Sequence, residues 1–308
     1  MRYKKLELKP NTKLRDACDA YLHSAKFAEL SSSVQFKYER TLGRVCATKV
    51  QHGAELGNVK LQDIRHKHVT YAYDTWLEHN GPSAANYMAT CLSIVLNLGI
   101  RHEALIANPV AQLQRKTERP RKVKWSKADV KDFLTTAYSE WRFRSIGLIV
   151  HMAYEWGQRI GDMRLLKWTD IDFEGKRVDI TQSKRGADVH LPIPDDLLAM
   201  LQAQQEYFGF QEYVAPRIRP KEGAYGAYTA TEIHTQVNNI KKLSGIDPKL
   251  QARDLRRTAI TEMAEAGVDL VGIMQVSGHQ SPQSVTPYLV NTFSGASAAL
   301  SKRKGNDE

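Results

Sequence analysis

Three arginines, a lysine, a histidine and a tyrosine stand in this chain at intervals that suit chemistry on a phosphate. Arg253 and Arg256 lie three apart in Ala252-Arg253-Asp254-Leu255-Arg256-Arg257-Thr258. Ser277-Gly278-His279 follows, and Tyr288 stands nine residues beyond His279. Arg159 sits upstream in Trp156-Gly157-Gln158-Arg159-Ile160-Gly161-Asp162, and Lys184 in Lys184-Arg185-Gly186. An arginine stays charged at any working pH and grips phosphate oxygens bidentately. Two arginines from distant segments could hold both non-bridging oxygens and stabilise the charge that builds in a transition state. A free phenol has a pKa of about 10, and neighbouring cations lower it by favouring the phenolate. His279 could donate a hydrogen bond to a phosphate oxygen. A lysine at a hairpin tip could protonate a leaving alkoxide, with Arg185 as the competing choice. The set suits in-line attack of a tyrosine on a phosphodiester, with no metal and no nucleotide cofactor.

Each residue also has a plainer reading. Arg256 fits an internal ion pair with Asp254 or Asp162. Tyr288 fits an amphipathic core position, His279 a cap or surface position, and Lys184 a solvated turn.

The elements that must position these groups are mostly helical. In the first third, Asn11-Thr12 can cap a helix with Leu14, Ala17, Cys18, Tyr21, Leu22 and Ala25 on one stripe. Ser31 to Ser33 can cap a second, with Val34, Tyr38, Leu42 and Val45 inward. A third is expected from about Leu61 to Glu78. Gly81-Pro82-Ser83 then breaks the chain and opens a fourth, carrying Tyr87, Met88, Cys91, Leu92, Val95 and Leu98. Four such helices can close a small bundle over residues 11–114, after a basic tail at 1–10.

Residues 115–125 read as an extended cationic linker holding Arg115, Lys116, Arg119, Arg121, Lys122 and Lys124, all candidates for DNA phosphate. Ser126-Lys127-Ala128-Asp129 resembles a capping box and opens the second domain, 126–308. Helices run to about Trp156 and again near Asp162 to Lys167. Then the period changes. Residues 170–173, 177–181 and 188–192 read as strands around tight turns, and helices resume after Pro194. Arg253 and Arg256 are expected on one helical face. The fold class is mainly α: a four-helix domain plus an α+β domain with a small antiparallel sheet.

The 308 residues carry a net charge of +10, and a basic surface favours a polyanion, most often nucleic acid. Cys18, Cys46 and Cys91 show no Cys-x-x-Cys spacing, so neither a zinc site nor a disulfide framework is indicated. The N-terminus lacks the apolar run of a signal peptide. The apolar stretch Ile94 to Ile100 is interrupted by Asn97 and too short to span a bilayer. No membrane role and a cytoplasmic, nucleoid-associated location are expected.

Taken in order, these motifs resemble the tyrosine recombinase (phage integrase) family. Gly157, Arg159 and Asp162 match its early arginine segment, and Lys184 its hairpin lysine. Asp254-Leu255-Arg256-Arg257-Thr258 matches the run that closes its His-x-x-Arg motif. Ser277-Gly278-His279 matches its Leu-Gly-His segment, and Tyr288 its nucleophile. The helical unit ending Leu105-Ile106-Ala107-Asn108-Pro109 is similar to its SAM-like core-binding domain. The resemblance implies a site-specific recombinase that integrates or excises DNA through a 3′-phosphotyrosyl intermediate, with Tyr288, Arg159, Lys184, Arg253, Arg256 and His279 as catalytic residues and no cofactor. It implies double-stranded DNA with inverted-repeat core sites as partner, a homotetramer on a Holliday junction, and room for DNA-bending accessory proteins. Phage, chromosomal and mobile-element roles are all compatible with it.

Two departures stand out. The family's His-x-x-Arg histidine is Arg253 here, and an arginine cannot act as a base near neutral pH, which leaves the general base open. Only about ten residues precede the first helix, which points to a form without an arm-binding domain. The rival readings are relaxation of DNA in the manner of a type IB topoisomerase, and a catalytically inactive DNA-binding protein on the same scaffold.

Overall fold

In the computed structural model the apolar stripe Leu14, Ala17, Cys18 and Tyr21 folds as α1 (Leu14–Leu22) and is buried. The structure describes residues 7–50, 53–118, 121–184, 186–288 and 293–303, with the backbone alone at 288, 293, 294, 298, 302 and 303. It divides into two units, Met1–Arg119 and Pro120–Glu308, each with its own core.

In the N-terminal unit the expected first helix stops short. Ser24 turns extended and caps α2 (Ala25–Ala28) by accepting the Phe27 N–H. Residue 13, not the predicted Asn11-Thr12 pair, is the N-cap of α1, without a side-chain bond, and Thr12 Oγ1 accepts from Lys9 N instead. α3 (Ser32–Ala47) follows, burying Leu42, Val45 and Cys46. The third helix starts later than predicted. Leu61–Asp63 is a 3₁₀ turn, because Leu14 N bonds Val59 O and Leu61 N bonds Thr12 O, which pins this stretch beside the start of α1. Helix then runs as α4 (His66–Arg101), broken at Gly81, whose φ of 75° is accessible to glycine at little steric cost. Pro82 restarts the helix where a missing N–H costs nothing. The predicted break at Gly81-Pro82 is therefore real. The apolar residues of α4, among them Val69, Trp76, Leu92 and Leu96, belong to the core of this unit.

The C-terminal unit opens as its sequence suggests. Ser126 Oγ accepts from Asp129 N while the Asp129 carboxylate accepts from Ser126 N, starting α5 (Lys127–Ser139). Then come α6 (Arg144–Glu155) and the short α7 (Ile160–Met163). α7 covers only the start of the helix predicted near Asp162 to Lys167. Three strands, β1 (Ile171–Asp172), β2 (Arg177–Thr181) and β3 (Asp188–Pro192), form an antiparallel sheet in the order β1-β2-β3, with Val178 opposite Leu191 and Ile180 opposite Val189. Those four face the core while Arg177, Thr181, Asp188 and His190 are exposed, the two-residue alternation of a half-buried sheet. The remaining helices are α8 (Asp195–Phe208), α9 (Ala230–Ser244), α10 (Leu255–Glu265), α11 (Leu270–Ser277), α12 (Pro282–Val285) and α13 (Phe293–Arg303). α5 packs on α6 and α9, and α6 packs on α10. The fold is mainly α with one small sheet, as expected.

Candidate active site

Four chain segments converge behind a cleft of about 470 Å³ in the C-terminal unit, lined by Arg121, Arg159, Arg253, Arg256 and Arg257 together with Gln158. The first segment follows α6. Gly157 takes a φ of 58°, turning the chain so that Arg159 becomes the N-cap of α7. Arg159 Nη1 donates to Gln182 Oε1 at 2.8 Å and lies 3.6 Å from Asp162 Oδ2. The other oxygen of Asp162 accepts from the Ser183 hydroxyl at 2.5 Å and the Ser183 N–H at 3.2 Å. Arg159 is thus tied to the turn that leaves β2.

The second segment is that turn. Gln182, 1% exposed, is a hub. Beyond Arg159, its Nε2 donates to Gln158 Oε1 at 2.6 Å and to Ser277 O at 2.8 Å. Lys184 lies two residues further on, exposed on the same turn, and Arg185 lies outside the described residues.

The third segment is the start of α10. Arg256 is 4% exposed. Its Nη1 donates to Gly157 O at 3.1 Å, and its Nη2 donates to Ser277 O at 2.7 Å. Arg253 does not share this setting. It sits in a 3₁₀ turn, Ala252–Asp254, ahead of the helix and is exposed at the cleft mouth. The expectation of one helical face fails because the segment bends there. Asp254 anchors the bend, accepting from Gln251 N and from Arg121 at 2.8–3.1 Å.

The fourth segment ends α11. Gly278 closes that helix with φ 68°, and a Cβ there would fall 2.5 Å from Gln182 Nε2. Glycine is therefore required twice over, by backbone angle and by space. His279 follows, 7% exposed, with its ring nitrogens 3.3–3.4 Å from Arg256 Nη2. Its Nδ1 lies 2.7 Å from Ser277 Oγ, whose own hydroxyl donates to Ile273 O. The ring is held through Nδ1 by Ser277 and faces the Arg256 guanidinium. The chain continues through α12 to a 3₁₀ turn, Thr286–Tyr288. Arg257 Nη1 donates to Pro287 O, and Val285 is buried against Ile260 and Ile273. The backbone of Tyr288 is thereby docked beside α10, while its side chain lies outside the described residues.

Of the residues expected to do chemistry, the structure gathers Arg159, Arg256 and His279 on one hydrogen-bonded frame, sets Arg253 at its rim and leaves Lys184 exposed nearby in sequence. Sequence reasoning missed Gln158, Gln182 and Ser277, which hold the frame. Uncharged glutamines without periodicity carry no signal for such a role.

The six cations of 115–125 divide. Arg121 is paired with Asp254, whose hydrogen bonds raise its pKa above the ordinary arginine value. Lys124 pairs with Glu265 at 2.9 Å. Trp125 between them and α10 is buried, its N–H donating to Thr258 Oγ1. These two cations brace the C-terminal unit. Arg115 donates to Thr90 Oγ1 at 2.8 Å. Lys116 uses its backbone, with its N–H donating to Tyr73 OH and its carbonyl accepting from Asn86. The side chains of Lys116 and Lys122 are exposed, and Arg119 lies outside the described residues.

A second cationic surface was not foreseen. In the N-terminal unit an open groove of about 840 Å³ is lined by Phe36, Lys37, Arg40 and Arg44 of α3 and by Asn80, Ser83, Asn86, Tyr87 and Thr90 of α4. Lys37 Nζ lies 3.9 Å from the Tyr87 ring centre, a cation–π distance. The spacing Lys37, Arg40, Arg44 on one helix face was the available signal.

A family model described as the phage integrase family matches residues 125–294. Among solved structures, the chain resembles a lambda integrase dimer bound to a COC′ core site, with 18% identity, a TM-score of 0.74, and coverage of 90% of this chain and 77% of that one. A lambda integrase tetramer bound to a Holliday junction gives 18% identity, a TM-score of 0.74 and coverage of 91% and 78%. The Tn1549 transposon integrase in complex with a circular intermediate DNA gives 14% identity, a TM-score of 0.76 and coverage of 94% and 99%. At such identities the likeness speaks for the fold. No curated protein sequence matches this chain significantly.

Proposed function

This chain belongs to the phage integrase family, and from that premise we propose that it is a site-specific DNA recombinase working through a 3′-phosphotyrosyl intermediate. The observation that carries the reading is the buried frame. Gln182, the Gly157 and Ser277 carbonyls and the Ser277 hydroxyl hold two guanidinium groups and an imidazole on one hydrogen-bonded frame. Such pre-positioned donors stabilise developing charge without reorganising during reaction.

In the proposed step the phenolic oxygen of Tyr288 attacks a phosphorus in line. The P–O5′ bond breaks, a 3′-phosphotyrosyl bond forms and a 5′-hydroxyl leaves. Arg159 and Arg256 bind the non-bridging oxygens. His279, held through Nδ1, offers Nε2 to the phosphate. Arg253 adds charge at the rim, but as an arginine it takes no proton from the phenol, and that proton passes to a water molecule. Lys184 delivers the proton to the leaving oxygen from the turn after β2. Attack by the 5′-hydroxyl of a partner strand reverses the step, so the phosphoester bond is conserved and neither ATP nor a metal enters.

The groove of α3 and α4 and the exposed Arg115, Lys116 and Lys122 would contact DNA phosphates in the cytoplasm or nucleoid of the host cell. Four copies would act on two core sites through a junction, a reading supported by the likeness to a lambda integrase tetramer bound to a Holliday junction.

Covalent trapping tests the reading. Nicked or phosphorothiolate-containing candidate site DNA should give a protein–DNA adduct on a denaturing gel. Tyr288→Phe should abolish the adduct and keep DNA binding. Relaxation of supercoils without joining of two sites would instead favour the topoisomerase-like reading. Binding without any adduct would favour the inactive scaffold.

A further inference from the structure

Away from the cleft, His151, Glu155 and Asp196 form a cluster that the proposed reaction does not use. None of the three lines the cleft. His151 and Glu155 are four apart and share one face of α6, and Asp196 stands in the first turn of α8. His151 is 6% exposed, yet its Nε2 makes no hydrogen bond among the described residues. It points between Asp196 Oδ2 at 3.7 Å and Glu155 Oε1 at 4.0 Å. Both distances are too long for hydrogen bonds. One ligand atom from each residue lies within 4.8 Å of the other two. Ligands bonded at roughly 2.0–2.2 Å to a single ion stand about 3–4 Å apart, which the 3.7 and 4.0 Å spans from His151 Nε2 match, so a small divalent ion would draw the two carboxylates together only slightly.

Two of the three groups are already oriented from behind. The other ring nitrogen of His151 lies 3.1 Å from the Tyr138 hydroxyl. A Nδ1–H directed at that oxygen leaves the Nε2 lone pair facing the two carboxylates, the tautomer a metal ligand needs. Asp196 Oδ1 accepts the Leu197 N–H at 2.9 Å, leaving Oδ2 toward the histidine.

We propose that His151, Glu155 and Asp196 form a binding site for one divalent transition ion, of the zinc or manganese class, that ties the end of α6 to the start of α8. An imidazole with two carboxylates suits such an ion better than magnesium, which prefers oxygen ligands and retained water. The role is positional. Glu155 is the last residue of α6, and Gly157, whose carbonyl receives Arg256, comes two residues later.

The test uses tag-free full-length protein stripped with a chelator and dialysed against Zn²⁺, then separately against Mn²⁺ and Mg²⁺. Bound metal is measured by mass spectrometry, and the melting temperature is followed. Wild type should hold about one equivalent of Zn²⁺ or Mn²⁺ and melt about 5 °C higher at saturating ion, with no response to Mg²⁺. Asp196→Asn changes a largely exposed side chain (70% exposed) and should keep the metal-free melting temperature while losing both bound ion and shift. Glu155→Gln should do the same. Cys46→Ser should still bind, which separates this site from the buried thiols of Cys18 and Cys46, 3.6 Å apart. Wild type without stoichiometric ion overturns the proposal. So does equal binding by Asp196→Asn and Glu155→Gln, or binding lost with Cys46→Ser. The readouts are independent of whether the protein cleaves DNA.

Discussion

The two cationic surfaces of this molecule are built in opposite ways. In the cleft of the C-terminal unit, Arg256 is almost fully buried and Arg159 is 24% exposed, and both are fixed by carbonyl and glutamine oxygens. In the groove of the N-terminal unit, Lys37, Arg40 and Arg44 are exposed beside a Phe36 that is 60% exposed. A buried guanidinium is tolerated only when its donors are satisfied, so the cleft cations need a dedicated frame. The groove cations are exposed to solvent and need none. The difference teaches what each surface is suited for. Fixed charge lowers a barrier, because nothing need move when charge develops. Solvated charge gives affinity by releasing counterions, a roughly additive and salt-sensitive effect.

The sharpest way to break that contrast is to remove a fixed charge. Arg256→Ala should lower the rate of covalent adduct formation by about 10³-fold, the loss typical of a pre-positioned donor, while affinity for site DNA falls less than about tenfold. Single-turnover trapping and a binding titration measure the two. Arg256→Lys should recover little, because one ammonium cannot span both Gly157 O and Ser277 O. A loss equal in rate and in affinity would mean the cleft arginine acts as an ordinary phosphate contact, and the contrast would collapse.

Next in size is the frame itself. Gln182→Leu keeps the bulk but leaves Gln158 Oε1 and the Ser277 carbonyl each short of a donor. Adduct formation should slow by about 10- to 100-fold, and urea unfolding should show a loss of about 2 kcal/mol. Gly278→Ala should resemble it, since its Cβ would strike Gln182 Nε2 and its φ is left-handed. Full activity in both variants would show that Arg159 and Arg256 hold their places without the glutamine.

The reach of sequence reasoning divides along the same line. Arg159, Arg256 and His279 were legible because charged and ionisable residues in a fixed order leave a motif. Gln158 and Gln182 were not, because their value comes from three-dimensional convergence of segments 24 residues apart and more. The strands β2 and β3 were legible from their two-residue alternation, and the break at Gly81-Pro82 from backbone rules. The late start of α4 was not, since Leu61 is drawn into pairing with Thr12. Composition alone made 115–125 a uniform basic stretch, whereas Asp254 and Glu265, distant in sequence, claim Arg121 and Lys124.

The groove should fail gradually where the cleft fails abruptly. Lys37→Ala and Arg40→Ala should each weaken DNA binding about two- to fivefold at moderate salt. Each should also reduce the slope of log affinity against log salt by about 1. The double variant should be close to the sum, and the rate of adduct formation at saturating DNA should be unchanged. Anisotropy titrations across a salt series measure this. A salt slope unchanged in the double variant would remove the groove from the DNA-contacting surface.

The smallest effect concerns how the N-terminal unit holds the second helix of its groove. His68 Nδ1 accepts the Arg65 N–H at 3.1 Å at the start of α4. That bond requires an unprotonated Nδ1. Burial, then the charges of Lys67 and Arg65, depress the His68 pKa below its ordinary 6.5. With the folded value below the unfolded one, the contribution to stability is present above pH 6.5 and is lost as the pH falls through the folded value. The ring is only partly buried, so solvent screens it, and a cap of this kind contributes less than about 1 kcal/mol. Urea unfolding at pH 7.5 and 5.5 should therefore show a slightly larger acid sensitivity in the wild type than in His68→Ala. An NMR titration of the ring should place its pKa below 6.5. A value above 6.5 would mean that nearby acidic groups outweigh burial and the two cations, and the sign of the pH effect would reverse.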